Sequence, residues 1–210
     1  MAESAAITAR KLEAVLKSRS MQISHDESER LLDAVMKFYM GLETRKLRRV
    51  ELMQQAAELM RKGFGFEEVS VLTKGADGMF RYEIILGFDK EPEKELRQLC
   101  YSEGEISKPD TEACVKINKH IDLTIAEGEQ KPGQTVGYAH PQLMTMPRKG
   151  TDDFTYGDYM DIYVYGKDDR HAAVFELSAP RDGKLPSSSK LKWMGLFALL
   201  MSNMLQHRTE

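Results

Sequence analysis

Residues 157–187 read GDYMDIYVYGKDDRHAAVFELSAPRDGKLPS, and this stretch decides the architecture. Met160, Ile162 and Val164 alternate with Asp161, Tyr163 and Tyr165, the period of two expected of a strand with one apolar face. Gly166 to Asp169 supplies a turn and Ala172 to Leu177 is apolar nearly throughout, so the two segments predict a β-hairpin. Pro180 lacks the amide that would continue a ladder, Asp182-Gly183 is a turn pair, and Pro186 sets the chain for a cap at Ser187. The motif therefore predicts a corner at which a strand hands over to a helix running to about Gln206.

That helix is apolar on more than one side. Leu191, Met194, Ala198, Met201 and Leu205 form one stripe, and Trp193, Phe197, Leu200 and Met204 form a second beside it. A sheet covers one stripe, so the other calls for a neighbouring helix or a second subunit. Upstream, Leu12, Val15 and Leu16 give a short amphipathic helix with a narrow stripe. A capping box of Ser24 and Glu27 opens a second helix carrying Leu31, Val35, Phe38 and Leu42. This second helix, from Asp26 to Leu42, is the rival cover for the extra stripe. The narrow stripe of the first helix also needs a surface, and pairing of terminal helices across a twofold axis satisfies both, so a homodimer is expected.

The helical pattern resumes at Leu47, Val50, Met53, Ala57 and Met60 and ends at Gly63 and Gly65. Val69, Val71 and Thr73, a turn at Ala76-Asp77-Gly78, then Phe80, Tyr82, Ile84 and Leu86 predict a first hairpin. Residues 89–99 predict a short helix with Pro92 in its first turn, and 115–125 a further strand. Residues 128–153 hold several prolines and glycines without a period, which predicts a long loop of the kind that carries function.

Composition bounds the function. With 41% apolar and 30% charged residues, 210 residues can bury one core with an appendage, here the N-terminal helices. The net charge is −3 and both signs alternate along the chain, which argues against a nucleic-acid partner. No apolar run approaches the roughly 20 residues of a membrane span. The opening MAESAAITARK lacks the regions of a signal peptide, so a cytoplasmic location with no membrane partner is expected. Cys100 and Cys114 have neither a disulfide framework nor metal spacing.

From about Thr44 to Gln206, the order helix, hairpin, short helix, strand, long loop, hairpin, helix resembles a GAF domain. The segment from Gly157-Asp158-Tyr159 to Pro180-Arg181-Asp182-Gly183-x-x-Pro186 is similar to a bacterial and archaeal subgroup found beside kinases, response regulators and diguanylate cyclases. The resemblance implies an α+β, PAS-related fold with a central antiparallel sheet of about five or six strands. Terminal helices would pack on one face, and short helices and loops would enclose a pocket on the other. It also implies a division into an N-terminal helical extension, residues 1–43, and a GAF domain, residues 44–210.

Pockets of this family bind cyclic nucleotides, bilins, haem or small metabolites, and each use leaves a signature. The Asn-Lys of cyclic-nucleotide GAF domains follows the last strand, where this chain has Ala179-Pro180; Asn118-Lys119 and Phe154-x-x-x-Asp158 match in letters but precede it. Neither Cys100-Tyr101 nor Cys114-Val115 supplies the Cys-His pair of bilin attachment. For haem, His120 and His140 are the eligible axial histidines. The enzymatic relative, the free methionine-(R)-sulfoxide reductase, uses a cysteine in the loop before the penultimate strand, and Gly133 to Tyr159 contains none. Tyr138, His140, Phe154, Tyr156 and Tyr159 cluster in and after the long loop and supply the flat faces and polar tips of a small-molecule site.

The pocket candidates are therefore Cys100, Cys114, His120, Tyr138, His140, Phe154, Tyr156 and Tyr159, with no catalytic and no metal-ligating set and no identified cofactor. The expected function is a non-enzymatic sensing or signalling module that binds an unidentified small molecule or a partner, dimerises, and acts on a separate signalling protein. A methionine sulfoxide reductase and a ligand-free dimerisation scaffold are the alternatives.

Overall fold

The computed structural model describes residues 9–21, 25–43, 47–107, 114–126, 143 and 148–207. Two hairpins form its centre. The first joins β1 (Phe66–Lys74) to β2 (Phe80–Leu86) through a turn in which Gly78 takes a φ of +81°. Gly87, at the end of β2, is required for another reason: a Cβ there would lie 1.9 Å from the Glu67 carbonyl oxygen. The two-residue β3 (Cys100–Tyr101) adds to the outer edge of β2.

The strand expected over 115–125 is itself a hairpin. β4 (Cys114–Lys116) and β5 (Ile121–Thr124) reverse between Ile117 and His120, where the Asn118 side chain accepts the His120 amide at 2.8 Å. β6 (Tyr159–Tyr165) and β7 (His171–Pro180) form the last hairpin, and β7 pairs antiparallel with β1, setting Val69 opposite Leu177 and Val71 opposite Phe175. The result is an antiparallel sheet of seven strands in the order β3-β2-β1-β7-β6-β5-β4. The count exceeds the expected five or six because a two-residue edge strand has no sequence period and because Asn118 splits one run into two.

Four helices lie on one face: α1 (Ala9–Met21), α2 (His25–Glu43), α3 (Arg49–Lys62) and α6 (Ser188–His207). Their apolar sides meet Val69, Val71, Met160, Ile162, Phe175 and Leu177 in one core that also contains Leu12, Leu16, Met53, Met60, Phe64 and Phe66. Each such side chain, fully buried, contributes about 1.5–3 kcal/mol. Over the other face, α4 (Lys90–Leu96) and α5 (Glu103–Ile106) flank β3. A smaller cluster of Leu72, Phe80, Tyr82, Ile85, Leu96 and Val174 fills the space there.

The strand-to-helix corner forms as its residues predict. Pro180 ends β7 opposite Phe66, the Gly183 amide closes a turn on the Pro180 carbonyl at 2.8 Å, and Gly183 takes a φ of +62°. Ser187 Oγ accepts the Lys190 amide at 3.1 Å, capping α6. Ser187 also donates to the Glu27 carboxylate, tying the start of α2 to the start of α6. Ser24, the other half of the expected capping box, lies outside the described residues.

The second apolar stripe of α6 is met largely from within the chain. Phe197 packs between Phe38 of α2 and Phe175 of the sheet, with ring centroids 5.8 and 5.7 Å away. The Tyr39 hydroxyl donates to the Phe197 carbonyl at 3.1 Å, and Trp193 Nε1 donates to Ser28 Oγ at 2.9 Å. What stays exposed is a different set, Leu32, Met36 and Met40 of α2 with Leu196 and Leu199 of α6.

Candidate functional site

Strand alternation puts the side chains of Asp122, Asp161 and Glu176 on the sheet face away from the four-helix layer, and register sets them in line. Ser70 stands opposite Glu176, Glu176 opposite Asp161, Asp161 opposite Asp122, and Asp122 opposite Lys116. One row thus crosses β1, β7, β6, β5 and β4. Residues directly opposed on adjacent strands hold their Cβ atoms about 5 Å apart, a separation at which two like charges repel by about 3 kcal/mol at an effective dielectric of 20.

Asp122 is withdrawn from water, and Asp161 and Glu176 are half-buried. Asp122 is 7% exposed, and one oxygen each of Asp122 and Asp161 is buried with no hydrogen-bond partner. Glu176 is the satisfied member: Ser70 Oγ donates to it at 2.9 Å and the Tyr82 hydroxyl at 2.7 Å. The Tyr163 hydroxyl reaches only to 3.5 Å from Asp161 Oδ2. Burial pushes the Asp161 carboxyl well above the usual carboxylate range, and the neighbouring Glu176 and Asp122 push it further. Burial raises Glu176 against the opposing hydrogen bonds of Tyr82 and Ser70, and raises Asp122 against the pull of Lys116 and Tyr163.

The row has two different neighbours. On one side Tyr163, Val174, Leu72 and Tyr82 continue the apolar cluster beneath α4. On the other, Tyr159, Thr124 and Cys114 stand opposite one another across β6, β5 and β4. The face is an acidic strip between an apolar wall and a mixed one.

Asp158, fully buried, anchors the approach to β6. Its carboxylate accepts the Thr155 amide at 2.7 Å and the Ala126 amide at 2.9 Å, and takes both terminal guanidinium nitrogens of Arg148 at 2.9 Å. Ala126 and Arg148 bracket residues 127–147, so this two-pronged ion pair fastens both ends of that segment together. Asp158 therefore has a structural task, and the letter match of Phe154-x-x-x-Asp158 to a nucleotide motif plays no part in it.

Of the pocket candidates, Cys114 and Tyr159 border the acidic row, and the other described ones scatter. Cys100 is exposed on β3 and Cys114 half-buried on β4, at opposite edges of the sheet, six strand spacings of about 4.8 Å apart. Burial, with Asp122 and Asp161 nearby, pushes the Cys114 thiol up to about 11, the reverse of an activated nucleophile. His120 sits in the β4–β5 turn, its Nδ1 donating to the Tyr163 carbonyl at 2.8 Å and its ring edge-on to Tyr165. Phe154 is buried on the helix side, edge-on to Phe66. Tyr159 is half-buried on the acidic face and Tyr156 half-buried just before it. Tyr138 and His140 lie outside the described residues.

Sequence reasoning missed the acidic row. Asp161 shows as a polar partner in an alternating strand and Glu176 as a lone acid in a nearly apolar one, but which strands lie side by side is set by register, and no spacing within the chain gives that. Among the described residues, no group of three or more His, Cys, Asp or Glu side chains converges to hold a metal ion. No helix among them is long and apolar enough to cross a membrane.

No protein-family model and no curated protein matches the chain. Solved structures do. The GAF domain of a phosphoenolpyruvate-protein phosphotransferase from Coxiella burnetii superposes with a TM-score of 0.54 at 9% identity, covering 86% of this chain and 95% of that one. The GAF domain of the Acinetobacter phosphoenolpyruvate-protein phosphotransferase gives 0.52 at 8% identity, covering 88% and 95%. The chain has the GAF fold. The chromophore-binding domain of a Stigmatella aurantiaca bacteriophytochrome is also similar, with a TM-score of 0.50 at 12% identity over 85% of this chain and 60% of that one. At such identities the likeness concerns the GAF fold, and function has to be argued from the face just described.

Proposed function

We propose that the protein is a non-enzymatic signalling module that binds a small molecule on the sheet face opposite its four-helix layer and works as a homodimer. The observation that carries this reading is the pair of buried, unpartnered oxygens on Asp122 and Asp161. A face that served only stability would not keep such groups, because a buried polar atom without a partner costs about 1–3 kcal/mol. The raised thiol of Cys114 and its separation from Cys100 support a role outside thiol catalysis. A ligand that biases the sheet acts directly on α6, since Ser202 Oγ accepts the Tyr165 amide of β6 at 2.9 Å and so joins helix to strand. Output through a separate signalling protein in the cytoplasm completes the proposal.

The test is native mass spectrometry and absorbance of freshly purified protein, followed by a thermal-shift screen of small metabolites on wild type and on Thr124→Trp, which fills the face. Hits lost in Thr124→Trp are expected. A screen in which nothing binds, or in which every hit survives the tryptophan, overturns the reading. Incubation with free methionine sulfoxide and a thiol reductant is expected to give no turnover; turnover abolished by Cys114→Ser or Cys100→Ser would assign the enzyme instead.

A further inference from the structure

Resting on that reading of the face, we infer that its ligand presents a cationic nitrogen, an ammonium or a guanidinium, to the row of Asp122, Asp161 and Glu176. The row offers acceptors without spare donors. Ser70 and Tyr82 spend their hydroxyl protons on Glu176, and the Tyr163 hydroxyl stands at 3.5 Å from Asp161. The nearest cation in register, Lys116, is exposed at the β4 end of the row. Asp122 is more than nine-tenths buried and keeps an oxygen unpartnered on the same face as the unpartnered oxygen of Asp161.

Each ligand class meets this arrangement differently. An anion adds a further like charge beside three carboxylates. A neutral hydroxyl satisfies one oxygen and leaves the mutual repulsion of the row in place. An N–H-bearing cation donates to the orphan oxygens of adjacent strands and neutralises the row, through the stronger charge-assisted type of hydrogen bond. Tyr159 and Tyr163 flank Asp161 two residues away on the same side of β6, and their rings suit an organic cation. A metal ion fits less well, since no three ligands converge on one point among the described residues.

Burial raises the carboxyls of this row, Asp161 most, so a cation that favours their ionised form lowers them again and releases the protons they carry at the working pH. The groups that face Asp161 and set this balance are Glu176 on β7, Asp122 on β5, Lys116 and Cys114 on β4, Tyr159 and Tyr163 on β6, Ser70 on β1 and Tyr82 on β2.

The experiment is calorimetric titration of the full chain near neutral pH with probes built on one four-carbon frame: 1,4-diaminobutane and agmatine as cations, 1,4-butanediol as the neutral control, succinate as the anion. Each is run in two buffers of different ionisation heat, on wild type, Asp161→Asn and Asp122→Asn, with melting curves to show that the variants fold. Saturable binding of at least one cation at ~10 mM or below is expected. The heat should depend on the buffer, and the affinity should fall at least about tenfold in Asp161→Asn. Absence of saturable binding by both cations overturns the inference, and so does cation binding that neither asparagine variant weakens. A neutral or anionic binder lost in Thr124→Trp keeps the face as a ligand site and overturns only its preference for cations. A face with no binder of any class overturns the function as well.

Discussion

The two faces of the sheet are made by the same strands and obey opposite rules. On the helix side every alternate residue of β6 and β7, from Met160 and Ile162 to Phe175 and Leu177, enters a closed apolar core. One residue further along each strand, Asp161 and Glu176 are enclosed against like charges. Apolar packing accounts for the first face. The second is paid for by it, which is the usual thermodynamic relation between a scaffold and a binding site.

The largest expected effect tests the supporting face. Phe175→Ala removes a fully buried ring that touches Phe197 and should lower stability by about 3–5 kcal/mol in denaturant unfolding. Val174→Ala, the adjacent residue on the other face, should cost about half as much. Equal losses would abolish the distinction between the faces.

Asp158→Ala should cost nearly as much, about 3–5 kcal/mol, because it removes the carboxylate that neutralises Arg148 in a site where both side chains are almost entirely buried. Pairing it with Arg148→Met should restore part of the loss. A double variant less stable than Asp158→Ala alone would mean that Arg148 holds the segment by other bonds.

How much of this was legible in the sequence follows from the range of the interactions. Periods within β1, β2, β6 and β7 gave the hairpins, and Pro180, Gly183 and Ser187 gave the corner, because each acts on its own neighbours in the chain. The acidic row was not legible, since Asp122, Asp161 and Glu176 meet only through the register of β5, β6 and β7. The second stripe of α6 was legible as a need for cover; that Phe38, Tyr39 and Ser28 supply much of it depends on where α2 docks. The pocket candidates were chosen as reactive or aromatic residue types, and type does not reveal that Cys100 and Cys114 occupy opposite edges or that Phe154 packs on the helix side.

The next effect reverses sign. Asp161→Asn replaces an acid whose ionisation burial and two acidic neighbours oppose with a neutral amide, and should stabilise the ligand-free protein by about 1–2 kcal/mol at neutral pH. The folded state raises this carboxyl above its unfolded value of about 3.9, so between those two values the folded protein binds more protons than the unfolded chain. Stability from this group is therefore full in acid and declines as pH rises. The advantage of Asp161→Asn over wild type should vanish near pH ~4 and grow as pH rises above it. The difference between the two proteins isolates the row from His171, whose half-buried imidazole is shifted down by desolvation and loses stability in the opposite direction, as pH falls. A variant advantage that is constant with pH would show that Asp161 is not the titrating member.

The smallest expected effect on stability concerns the outer surface of the helices. Leu32 (40% exposed), Met36 (51%) and Met40 (61%) recur every four residues along α2, and Leu196 (37%) and Leu199 (47%) are exposed on α6, the helix against which α2 packs. Single substitutions at such exposed positions should change the monomer's stability by no more than about 0.5 kcal/mol. Their effect on assembly should be far larger. Exposed Glu29, Arg30, Asp33 and Lys37 accompany the α2 stripe, so a twofold axis crossing it can set acidic residues of one copy against basic residues of the other. That self-complementarity favours a second copy of this chain over an unrelated partner. Light scattering at micromolar concentration should then give twice the 23.9 kDa chain mass for wild type. Met36→Glu with Leu199→Glu should return it to one chain while leaving the melting of dilute protein nearly unchanged. A monomeric wild type would remove the dimer from the proposed function. A dimer indifferent to both substitutions would move the interface off the α2–α6 surface and leave the contrast between the sheet's two faces untouched.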